Sequence, residues 1–164
     1  MASTYTPIAT QTATGSPSSI TFSSIPNTYT HLQIRAEYIT GYNYCYVQFN
    51  GDTGTNYSAH NIYATGTGTP GAGGSASQSQ FTIGISNTTS YPSVAVADIL
   101  DYSSTTKNKT VRSLSGQDQN GSGIVLLNSG LWLSTAAINQ ITISAQSGNG
   151  NLAANSSFAL YGVK

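Results

Sequence analysis

The side chains able to do acid–base, nucleophilic or metal chemistry are few: two histidines (His31, His60), one cysteine (Cys45) and five carboxylates (Glu37, Asp52, Asp98, Asp101, Asp118). A triad of Cys45, His60 and Asp52 can be written down. Nothing in its spacing requires it, and Cys45 alternates onto the apolar side of its segment, so no catalytic triad is expected. His31 and His60 have no partner at metal-ligand spacing. Asp98 and Asp101 are three residues apart, which on a strand sends them to opposite faces and rules them out as a working carboxylate pair. The run Asp118-Gln119-Asn120-Gly121-Ser122-Gly123 has the start of a calcium loop, but it lacks the further acidic ligands and the closing Glu, and reads as a tight polar turn. The expectation is a protein that is not an enzyme and holds no metal or cofactor.

Tyrosine is the conspicuous excess, with eleven in the chain. Tyr42, Tyr44 and Tyr46 at spacing two share one face of a strand. Three readings stay open for them: sheet decoration, since Tyr is a good strand former; a subunit interface, where its large ring and polar tip are favoured; and a sugar contact. Charge is the other concentrated feature, because five of the ten charged residues (Asp98, Asp101, Lys107, Lys109, Arg112) lie in one segment. With a turn centred on Thr106 and Lys107, Asp101 falls opposite Arg112. That is either an exposed cross-strand ion pair or a patch setting register against a neighbouring subunit.

The elements that carry these residues are strands. Leu32, Ile34, Ala36 and Tyr38 alternate with His31, Gln33, Arg35 and Glu37. Cys45, Val47 and Phe49 alternate inward against Tyr44, Tyr46 and Gln48 outward. Asn50-Gly51 then signals a turn into a strand over Tyr57–Ala64. Further strands are expected at 20–22, Phe81–Ile85, Val94–Tyr102, Thr110–Ser115, Ile124–Trp132, Ile138–Ser144 and Phe158–Val163. The Ile124–Trp132 run is apolar almost throughout, which predicts burial on both of its faces. Trp132 is expected in the core. Thr65–Ser79 is a Gly/Ser/Thr/Ala segment that reads as a flexible loop, held in place only by a neighbouring chain. No helical periodicity persists over three turns. Nine or ten short strands predict an all-β, antiparallel two-sheet sandwich of the jelly-roll kind.

Residues 1–18 read as an extended N-terminal arm ahead of a single sandwich domain over 19–164. With Tyr5 and Ile8 as its only large apolar anchors, the arm is expected to dock on another polypeptide. Ser, Thr, Gly and Asn make up 76 of the 164 residues, while charged residues are only 6 % and cancel to zero. That balance removes electrostatic attraction to nucleic acid or to anionic membranes, and no apolar run has the length of a membrane span. It also leaves little repulsion between copies, which suits a packed assembly. No secretory signal opens the sequence. The lone Cys45 fits synthesis in a reducing cytoplasm.

Five segments carry a resemblance: I-P-N-T-Y-T-H-L-Q-I-R (25–35), F-N-G-D-T-G-T-N-Y-S (49–58), D-Y-S-S-T-T-K-N-K-T-V-R-S-L-S-G (101–116), S-G-L-W-L-S-T-A-A-I-N-Q-I-T (129–142) and F-A-L-Y-G-V-K (158–164). In these the chain resembles a group of small virion proteins of tailed bacteriophages, among them capsid decoration (cement) proteins and tail-fibre tips. The resemblance implies a β-sandwich at the virion surface, made in the host cytoplasm and assembled as a symmetric homotrimer; which position in the virion it takes stays open. One expectation is a homotrimer on the lattice of the major capsid protein, its arm tying capsomers together, with no affinity for free sugars. The other is a fibre tip contacting host glycan through its Tyr-rich loops. No coiled-coil, collagen-like or β-helical shaft accompanies the domain, which favours the capsid. The interface residues so nominated are Tyr5, Ile8, Tyr44, Tyr46, Asp101, Lys107, Lys109 and Arg112.

Overall fold

A computed structural model describes residues 4–40, 43–66, 68–146 and 150–164. Twelve strands run in chain order: β1 (Tyr5–Thr12), β2 (Ser19–Phe22), β3 (His31–Tyr38), β4 (Asn43–Phe49), β5 (Tyr57–Thr65), β6 (Gly71–Gln78), β7 (Phe81–Ser86), β8 (Ser93–Leu100), β9 (Lys109–Asp118), β10 (Gly123–Trp132), β11 (Ile141–Ala145) and β12 (Ser157–Val163). They form an eight-stranded sheet, β1-β12-β3-β8-β9-β10-β5-β6, packed on a four-stranded sheet, β2-β11-β4-β7. Every pairing is antiparallel.

The strand order identifies the jelly roll. The halves β1-β12-β3-β8 and β2-β11-β4-β7 are the two interlocked Greek-key sheets of that fold. The hairpins β5–β6 and β9–β10 are additions. They pair with each other through β10 and β5 and extend the first sheet beyond β8. The core lies between the sheets, where Leu32, Ile34, Ile99 and Leu160 face Phe49, Val47, Ile141 and Ile143. Trp132 is buried as expected, packed against Phe49 and Tyr57 with ring centroids 5.5 and 6.3 Å away.

Five expectations change. The N-terminal segment is extended, but it is no free arm: β1 is an edge strand hydrogen-bonded to β12 of the same chain. A register shift between Pro7 and Ala9 lets Ile8 pack on the core, and Tyr5 lies under the Arg35 guanidinium, 5.0 Å from its ring centroid. The Gly-rich segment is likewise held by its own chain, as edge strand β6 on β5. Its glycines answer the side chains opposite: a side chain at Gly71 would collide with Tyr63, and one at Gly74 would press on His60. Asp101 does not face Arg112. β8 ends at Leu100, Asp101 takes a left-handed φ of 49°, and the longer turn makes Asp98 the partner of Arg112. Strand β11 starts only at Ile141, because Ile138 is buried in the preceding loop and its N–H donates to the Tyr102 carbonyl.

The fifth change concerns β10. Its continuous apolarity predicts two buried faces, yet the residues alternate strictly, with Ile124, Leu126 and Trp132 buried and Val125 and Leu127 exposed. One face of an apolar strand is uncovered.

A candidate assembly face on the larger sheet

The ladder registers convert this uncovered face into rows. One row crosses the outer side of the sheet as Arg35, Val96, Leu114, Leu127, Ile62 and Ala72. The adjacent row runs Glu37, Val94, Gly116, Val125 and Ala64. Side chains in neighbouring rows and strands lie within reach of one another, so six aliphatic residues make one continuous surface. Ile62, Val94, Leu114 and Val125 are each more than half exposed, at 58, 57, 56 and 56 %. Gly116 contributes no side chain and leaves a notch between Val94 and Val125, part of a groove of about 300 Å³. A second groove of about 460 Å³ continues over Val125 and Leu127 to Ile62 and Pro70.

Soluble monomers rarely show contiguous apolar patches above a few hundred Å². At about 25 cal/mol per Å², covering such an area contributes several kcal/mol before the costs of association. The next row is polar and borders the patch: Asp98 pairs with Arg112 at 3.6 Å and accepts a 2.8 Å bond from the Gln33 amide, and His60 stands exposed beyond Ser129. Arg35 closes a corner, its guanidinium over the Tyr161 ring at 4.8 Å as well as over Tyr5. An apolar centre with a polar rim is the anatomy of a protein interface.

Of the nominated interface residues only Arg112 borders this face. Tyr5 and Ile8 serve the chain's own edge strand. Asp101 and Lys107 form a 2.7 Å ion pair within the β8–β9 turn, and the Lys107 ammonium holds the Asp101 carboxyl below its usual range. Lys109 is fully buried, on the same inner row as Trp132 and Tyr57, and its ammonium donates to the Lys107 carbonyl at 2.7 Å. Burial lowers its pKa. It is an interior residue, and its nomination as an interface residue is corrected. Tyr44 and Tyr46 pack against each other outside the smaller sheet, with centroids 5.8 Å apart and planes tilted at 49°. Tyr42 lies outside the described residues.

The written triad is not assembled. Cys45 is wholly buried between the sheets, where burial raises its thiol pKa, whereas His60 points away from the core on the far side of the larger sheet. Asp52 is occupied elsewhere. Its carboxylate accepts the Trp132 indole N–H at 2.7 Å, the Asn56 amide at 3.0 Å and the Gly54 N–H at 2.8 Å, and these bonds, Trp132's foremost, lower its pKa. The F-N-G-D-T-G-T-N-Y segment is therefore a clamp on the core tryptophan. Asp118 caps its own turn, accepting from the N–H groups of Asn120 and Gly121 at 2.7 and 3.3 Å. Among the described residues no three His, Cys, Asp or Glu side chains gather as a metal site.

The six aliphatic residues escaped sequence reasoning, although a signal was present. Val94-Ala95-Val96-Ala97 and Ile124–Leu127 are apolar at both parities, so neither strand has the polar face that a solvated sheet shows. Comparison with protein-family models, with curated proteins and with solved structures finds no match to this chain.

Proposed function

We propose that this protein is a structural subunit of a bacteriophage virion, a capsid decoration protein that cements the head as a homotrimer in contact with the major capsid protein. The observation that carries the reading is the aliphatic outer face of the larger sheet, which a lone chain leaves in water. The near absence of charge adds to it, since copies of this chain repel one another weakly. The resemblance in the five quoted segments supplies the virion.

The threefold state comes from the resemblance, and the aliphatic face is the surface such a homotrimer would cover; a closed symmetric assembly is the general expectation for identical subunits. Sedimentation of the purified chain tests the assembly: a trimer is expected, and a folded monomer at all concentrations overturns it. Imaging of the virion tests the location. Density repeating over the capsid facets is the expected result, and density confined to fibre ends reassigns the protein to a fibre tip.

A further inference from the structure

The larger sheet is wider than the smaller one. Strand β7, at the margin of the smaller sheet, packs over β8, β9 and β10 and reaches β5 least, so the inner side of β5 overhangs it. Beneath the overhang is a cleft of about 320 Å³, walled by Tyr44, Thr82 and Ile85 and floored by Asn61, Tyr63 and Asn128 with their aliphatic neighbours. Such a volume is at the small end of ligand sites. It lies on the opposite side of β5 and β10 from the aliphatic face, so assembly through that face leaves it open.

The floor is polar where packing does not ask for polarity. Asn61, Asn128 and Ser113 form one inner row, which continues into the core as Ala97 and Ile34. Asn128 is 98 % buried, being 2 % exposed, and its amide nitrogen donates to Ser113 Oγ at 3.3 Å. Its carbonyl oxygen has no partner among the described residues, yet the sealed, unpartnered side-chain atoms are the Ser93 and Ser115 hydroxyls. The Asn128 oxygen therefore opens to the cleft. It is an acceptor without a protein donor, open to a hydroxyl arriving from outside. The Asn61 amide likewise has no partner among the described residues. Tyr63 is set in place by Gly71, against which its ring lies, and Tyr44 is steadied by Tyr46. Among the described residues no charged side chain lines the cleft.

We infer that this cleft binds a neutral sugar, with the rings of Tyr44 and Tyr63 against the apolar C–H face and the amides of Asn61 and Asn128 bonded to the hydroxyls. Two phenol rings beside the Asn61 amide and the Asn128 carbonyl oxygen match a ligand that is apolar across its ring and hydroxylated around its edge. The uncharged lining disfavours phosphate and carboxylate. The inference stands on the cleft alone; it replaces the expectation that a capsid protein of this kind has no affinity for free sugars, and sugar binding lost on substituting Tyr44 counts toward the fibre-tip location.

Saturation-transfer NMR on the full chain tests it, with glucose, galactose, mannose and N-acetylglucosamine as probes and glycerol as the polyol control. At least one sugar is expected to bind saturably, with a Kd on the order of 1 mM. Tyr44→Ala and Asn61→Ala, both at accessible positions, each weaken it about tenfold or more, while Lys107→Ala in the distant β8–β9 turn leaves it unchanged. No saturable binding of any of the four, binding matched by glycerol, or binding indifferent to both cleft variants overturns the inference. Sedimentation reports on the trimer separately, so failure of one reading is distinguishable from failure of the other.

Discussion

Strand β10 has two faces of nearly equal apolarity and opposite surroundings. Inward, Trp132 packs on Phe49 and Tyr57 and hands its indole N–H to Asp52, and Gly130 makes room for the Phe81 ring. Outward, Val125 and Leu127 meet no second layer. A chain that folds as a monomer has no reason to spend aliphatic residues on both faces. On the proposed assembly, the burial that β10 foretells on its second face is burial between molecules.

The largest effect belongs to the inner face. Trp132→Ala removes the centre of the aromatic cluster and is expected to cost about 3–5 kcal/mol in urea unfolding. The paired outer-face variant Val125→Thr/Leu127→Thr changes monomer stability by no more than about 0.5 kcal/mol, because those side chains touch little within the chain. Its effect is on assembly, where sedimentation shifts from trimer to monomer. A trimer that survives the double substitution breaks the comparison.

Much of the architecture was legible because the jelly-roll strands alternate cleanly at period two, as Leu32–Tyr38 and Cys45–Phe49 show. What stayed hidden depended on partners distant in sequence. Gly71–Gln78 lacks large apolar residues, and its identity as a strand comes from the Tyr63 and His60 side chains that its glycines accommodate. Tyr5–Thr12 reads as an arm until β12 supplies its hydrogen bonds, 150 residues later in the chain on average. The aliphatic face was hidden for another reason. Val94, Leu114, Val125 and Ile62 come from four separate strands, and only the register places them side by side. Charged and aromatic residues drew attention to local clusters, whereas the face is spread thinly along the sequence.

An intermediate effect sharpens the comparison at the edge of the core. Asp52→Ala leaves the Trp132 N–H without its acceptor and is expected to cost about 1–3 kcal/mol. The carboxyl's pKa is held below its unfolded value, so its stabilisation is fully present above the unfolded pKa of about 3.9 and is lost as pH falls through the folded one. The melting temperature of the wild type should therefore drop between pH 5 and pH 2, roughly the window in which a depressed carboxylate titrates. Asp52→Asn should lose part of that acid sensitivity, and an unchanged pH profile in this variant removes Asp52 from the account.

The smallest effect tests the rim of the outer face. Arg112 and Asp98 are 3.6 Å apart with side chains 71 and 31 % exposed, so in the monomer their attraction is screened by water and salt. A double-mutant cycle on Arg112→Ala and Asp98→Ala, run in the monomeric Val125→Thr/Leu127→Thr background, is expected to give a coupling of about 0.2–1 kcal/mol that fades in high salt. In the proposed trimer the same pair borders a surface that loses its water. There the single substitutions should change the salt dependence of assembly more than they change folding. A coupling of several kcal/mol in the monomer means the pair is already desolvated, and the boundary between covered and uncovered sheet then lies elsewhere than the registers place it.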